Sequence, residues 1–108
     1  MTNEEGYNGW SNYETWNVAL WIDNDEGSYN YWRERSREIL ESDLSDDFAP
    51  PERKAVWLLA DEIKDTIEDM SPLASEASLY SDLLGAALSE VDWREIAEHY
   101  LEEVQVEA

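Results

Sequence analysis

The chain of 108 residues has no cysteine, so neither a disulfide framework nor thiolate chemistry is open to it. Three prolines and four glycines are too few for a loop-dominated or low-complexity chain. There is one histidine, and only seven lysines and arginines stand against 27 aspartates and glutamates, a formal net charge of −20. That shortage of cations disfavours direct binding of nucleic acid, because phosphate contacts are made chiefly by lysine and arginine. No apolar run approaches the roughly 20 residues of a membrane helix. The opening Thr2-Asn3-Glu4-Glu5-Gly6 is polar and acidic, the reverse of a signal peptide. Phosphate-loop, nucleophile-elbow, zinc and dinucleotide signatures are missing too, so no cofactor, metal or enzymatic activity is expected.

What is present is apolar and aromatic. Hydrophobic content of 43% is ordinary for a globular chain, and 12% aromatic residues argue against disorder. A chain of this length closes one hydrophobic core, so a single domain over residues 10–108 is predicted, behind a mobile polar leader over residues 1–9. The stretch from Trp10 to Trp32 holds four of the six tryptophans and three of the six tyrosines. Aromatic rings dominate buried area in a small core, which makes this stretch the candidate folding centre.

The periodicity is helical throughout, and the predicted class is all-α with about five helices. Ser11-Asn12-Tyr13-Glu14 has the form of a capping box, which starts a helix over residues 13–23. Its Trp16, Val18, Ala19, Leu20, Trp21 and Ile22 surround much of the helix, as in one that is buried or covered by a partner. A turn over residues 24–28, with Gly27 supplying a positive φ, leads to a second helix from Ser28 or Tyr29 to Glu41. Tyr29, Trp32, Ser36, Ile39 and Leu40 form its inner stripe; Arg33, Arg35 and Arg37 among Glu34, Glu38 and Glu41 read as a solvated, self-neutralised outer face. After a loop over residues 42–50, proline at the first helical position starts a third helix at Pro51 or Glu52, running to Asp69. Its core stripe is Ala55, Val56, Leu59, Ile63, Ile67 and Met70. A fourth helix from Ser78 or Ser81 to Leu88 is expected to bury Tyr80, Leu83, Leu84, Ala87 and Leu88. Asp92-Trp93-Arg94-Glu95 is a second capping box, opening a last helix to about Glu103 with Trp93, Ile96, Ala97, Tyr100, Leu101 and Val104 inward.

Two stretches carry a resemblance. SNYETWNVALWIDNDEG followed by YNYW, and later ALSEVDWREIAEH, resemble the two ends of a family of short acidic proteins carried by phages, plasmids and integrated elements. The motifs bracket most of the chain; the middle, residues 42–81, matches no such pattern. The family has no established activity, so no functional residue is carried over. The resemblance implies a mobile-element setting, and hence the cytoplasm of a host cell.

Charge supplies the functional expectation. Asp61, Asp65 and Asp69 recur every four residues on the third helix beside Glu62 and Glu68, and Glu95, Glu98 and Glu102 recur at three and four on the last, with Glu103 beside them. Like charges at that spacing destabilise a helix, so local folding does not ask for these rows. A domain of this size is about 30 Å across, and duplex DNA of that length carries on the order of 18 charges. The predicted function is therefore DNA mimicry: inhibition of a nucleic-acid-binding protein of host defence, of restriction or CRISPR type, by occupation of its basic groove. Asp82 and Glu90 extend the predicted surface, and a homodimer would lengthen it. The alternative is a structural or regulatory domain from a halophile, whose acidity is salt adaptation; the presence of only two lysines, Lys54 and Lys64, suits that reading.

Three other features are given their simpler readings. His99 has carboxylates near it but no nucleophile or pocket, and is expected to be a boundary residue without chemistry. Asp23-Asn24-Asp25-Glu26-Gly27 has a faint likeness to a calcium loop, but glycine falls one position early, so a turn is preferred. Most of the tryptophans sit at core spacing, and a −20 surface repels the strands that such rings could stack.

Overall fold

A computed structural model describes residues 7–42, 50–73 and 77–107 and shows an all-α arrangement of five helices. They are α1 (Tyr13–Asn24), α2 (Glu26–Glu41), α3 (Pro51–Asp69), α4 (Leu79–Ser89) and α5 (Trp93–Glu107). Of the expected leader, residues 1–6 lie outside the described residues, as do residues 43–49 of the expected loop. Tyr7 and Trp10 pair through backbone hydrogen bonds across a tight turn at Asn8 and Gly9, both of which have positive φ. Tyr7 then lays its ring against Tyr13 and Trp16, which ties this turn to α1.

α1 begins one residue later than a capping box at Ser11 requires. Asn12 is the cap, and its side-chain oxygen accepts from the Thr15 N–H at 2.8 Å. Ser11 is diverted: its N–H and hydroxyl both donate to the Glu95 carboxylate, 3.1 and 2.8 Å away on α5. The predicted turn over residues 24–28 contracts to the single residue Asp25, between α1 and α2. Asp25 caps α2 directly through its bonds to the Ser28 N–H and hydroxyl, and Gly27 is helical, without positive φ. Those two bonds, the hydroxyl's first, hold the Asp25 carboxyl below the usual range.

α3 and α5 make the most extensive helix contact, and α2 packs on both. Ala55, Leu59, Ala60 and Ile63 of α3 and Ile96, Ala97, Tyr100 and Leu101 of α5 lie in one core cluster with Trp32, Ile39, Ala19 and Ile22. At about 25 cal/mol per Å², the rings and branched chains of this cluster are the main stabilising term. The α5 stripe expected from the sequence is buried at all six positions.

The apolar surface is less fully buried than the sequence pattern predicts. On α1 only Thr15, Ala19 and Ile22 are buried, while Trp21 is 71% exposed. Met70 lies past the end of α3 and is likewise exposed. α4 departs furthest, since none of its residues is buried. Ser78 and Ser81 cap it reciprocally. Leu84 and Leu88 are half-buried, but Tyr80, Leu83 and Ala87, expected inside, are exposed together with Leu79. Apolar residues cover somewhat more than half of α4's circumference, so periodicity cannot say which part of that arc faces the core.

Candidate functional site

The outer face expected on α2 is self-neutralised only in part. Arg33 donates to Glu103 of α5, which also accepts from the Tyr29 hydroxyl. Arg35 makes a two-pronged bridge to Glu62 of α3, at 2.7 and 2.6 Å, and reaches Glu38 on its own helix at 3.1 Å. Bidentate pairing of this kind is the strong form of an arginine–carboxylate contact, and it raises the Arg35 pKa further. Arg37 with Glu34, and Arg35 with Glu38, follow the expected pattern of pairs three residues apart. Two arginines thus fasten α2 to α3 and α5, and the bridges occupy Glu62 and Glu103 of the predicted contact surface.

The other predicted residues divide between two separate faces and α4. On α5, Glu95, Glu98 and Glu102 follow a three-then-four spacing, which puts them on one ridge directed away from the buried stripe. Glu98 and Glu102 are exposed; Glu95 is half-buried where it accepts from Ser11. A recess of about 360 Å³ opens along this ridge, lined by Asn8, Gly9, Trp10, Glu95, Glu98, His99 and Glu102. His99 is exposed, with the Trp10 ring 5.0 Å from its own. On its α3 side, Glu98 meets Glu52, Arg53, Val56 and Trp57 around a second recess, with Arg94.

On α3, Asp61, Asp65 and Asp69 are all exposed, and Glu68 is half-buried beside Lys64, 3.6 Å away. Val56 marks the side of α3 turned to α5. Asp65 lies nine residues on, about half a turn round the helix at roughly 100° per residue. The aspartate row therefore faces away from the α5 ridge. Asp82 and Glu90, on α4 and at its end, are exposed on a third element.

Two acidic residues noted for other reasons have structural partners. Asp23 accepts from the Tyr100 hydroxyl at 2.5 Å, and Asp25 caps α2. Burial, then the bond to Asp23, pushes the Tyr100 phenol well above the usual tyrosine range. No group of three or more histidine or acidic side chains among the described residues is arranged to hold a metal ion. No described helix is long and apolar enough to cross a membrane. The tryptophans divide: Trp32 and Trp93 are buried, Trp10 and Trp16 half-buried, Trp21 and Trp57 exposed. Trp21 stands on the helix read as buried or covered by a partner, and Trp57 lies outside the core stripe read for the third helix.

Neither the curated proteins nor the solved structures include a match to the chain. Residues 3–106 match the model of a family of unknown function, DUF7249, and with nearly its whole length covered the chain belongs to that family.

Proposed function

We propose that the protein acts by binding a protein with a basic, nucleic-acid-binding groove, through carboxylates that stand in for a phosphate backbone. The observation that carries this reading is the solvated ridge of Glu98 and Glu102 on α5, with the Asp61, Asp65 and Asp69 row on a second face. Arg33 and Arg35 are held in helix–helix bridges, while Lys64 lies beside Glu68 in the α3 row and Arg53 and Arg94 border the recess next to Glu98. The longest dimension is 43 Å, and duplex of that length carries on the order of 25 charges, comparable with the net −20 here. The resemblance to proteins of phages and plasmids favours a host-defence partner of restriction or CRISPR type, and a cytoplasmic site of action.

Salt adaptation is the competing reading, favoured by the two-lysine count. Exposed Trp21, Tyr31 and Trp57 weigh against it, because carboxylates that serve only to hydrate a surface need no large apolar side chains among them. The test is capture of host proteins on the immobilised chain, followed by elution with duplex DNA. A partner released by duplex and retained by an equal concentration of neutral polymer is expected; retention against duplex refutes mimicry. On the captured partner, Glu98→Lys with Glu102→Lys should weaken binding by more than about 1 kcal/mol, with a loss that shrinks at high salt. Reversal of Asp61, Asp65 and Asp69 tests the second face separately, since the two rows do not share a side.

A further inference from the structure

We infer that the uncovered face of α4 is the contact through which two copies of this chain pair. Leu79, Tyr80 and Leu83 are 67%, 69% and 59% exposed, and Ala86 and Ala87 complete the same face. Ser81, Leu84 and Leu88 form the opposite side, where Leu88 packs against the core and all three border a recess shared with Glu68, Ser71 and Leu73.

Charge and shape together select a second copy as the occupant. In a chain with 31% charged residues, α4 carries one, Asp82. Like-charged copies approach most easily where the charge is thinnest, and the two acidic rows stand on other helices. The face is also self-complementary, with its bulky residues at one end and its small ones at the other. When two α4 helices run antiparallel about a two-fold axis at Leu83, Leu79 falls opposite the partner's Ala86 and Tyr80 opposite the partner's Ala87. Leu83 meets the partner's Leu83. Large side chains thus enter the spaces left by small ones, as an isologous interface requires. Pairing would bury on the order of 400 Å² per copy, about half the value of a standard interface. The dimer is accordingly weak and concentration-dependent. Asp82 lies on one rim and falls near its own counterpart, so salt strengthens this contact, the reverse of its effect on a basic partner.

Sedimentation equilibrium on the full chain, between about 10 µM and 1 mM, reads the outcome. The mass should climb from 12.6 kDa toward twice that, more readily in about 0.5 M than in about 0.02 M KCl. Leu83→Glu should abolish the rise while leaving the circular dichroism spectrum unchanged, because Leu83 is exposed. Ala87→Leu should weaken pairing at least tenfold, since it fills the space that Tyr80 enters; general apolar stickiness would instead be increased by it. Asp82→Asn should tighten pairing. A monomer at every concentration, species larger than two, or tighter pairing of Ala87→Leu would overturn the inference. So would a Leu83→Glu variant that pairs normally yet loses a captured basic partner. Loss of the α5 ridge by charge reversal leaves pairing intact, so this inference and the proposed function fail independently.

Discussion

Thr15 is fully buried, and its hydroxyl accepts from the Asp92 N–H at 2.8 Å, joining α1 to the approach to α5. Thr15→Val keeps the shape and removes the acceptor, leaving a part-buried amide without that partner. The expected loss is about 1–3 kcal/mol in urea unfolding, whereas Thr15→Ser keeps the bond and should lose less. Equal losses in the two variants would show that the methyl group matters and the hydroxyl does not. Tyr100 contributes to the alkaline limit. The folded chain holds its phenol protonated by burial and by Asp23, while the unfolded chain releases that proton near the ordinary tyrosine value of 10.0. Its stabilising contribution is therefore complete below pH 10 and is lost as pH rises beyond it. Tyr100→Phe should flatten this alkaline loss in melting curves, though only in part, because the bond to Glu103 raises the Tyr29 phenol as well.

Among the elements, α4 shows most clearly what spacing leaves undecided. Gly85 sits in its middle with no positive φ, and a Cβ there would meet nothing within 4 Å. No close approach requires glycine at that position, so Gly85→Ala should stabilise the fold by about 0.5–1 kcal/mol. An unchanged or lower melting temperature would mean that α4 is coupled to something besides its own helix. Helix number and class, and the Pro51 start of α3, were legible because capping residues, prolines and a 3.6-residue period act locally. The α5 stripe was legible for a further reason: its apolar and acidic residues occupy different sides. The inner side of α4 was not legible, because Leu79, Leu83, Leu84 and Leu88 spread over about half of its circumference. The bridges from Arg33 and Arg35 were equally hidden. An arginine that pairs three or four residues away within its helix has the same sequence signature as one that crosses to another helix. Likewise Ser11 fits a cap by spacing, and only the fold brings Glu95, 84 residues away, to claim its hydroxyl. The acidic rows could be read as rows, but their division between opposing directions depends on how α3 and α5 pack.

For the whole molecule, the excess of carboxylates has a mechanical consequence that does not depend on any partner. A net charge of −20 on a body measuring 43 × 37 × 32 Å repels itself, and repulsion between exposed charges is reduced once the screening length falls below their separation. That length is about 30 Å at 0.01 M salt and about 8 Å at 0.15 M. Most of the relief is therefore available between those two concentrations. The melting temperature should rise steeply across that interval and then level off. A fold that depended on salt adaptation would instead keep gaining stability into the molar range. The same repulsion predicts that neutralising the α5 ridge makes the protein more stable. Glu98→Gln with Glu102→Gln removes two exposed charges without touching the core, so its melting temperature in 0.01 M salt should exceed that of the parent chain. The difference should shrink by 0.15 M as screening reduces what there is to relieve. A gain in stability accompanied by a loss of partner affinity would identify the ridge as a surface held at a cost for binding. If the double variant gains no stability at low salt, the ridge carboxylates are compensated within the fold, and their availability to a basic groove is refuted with them.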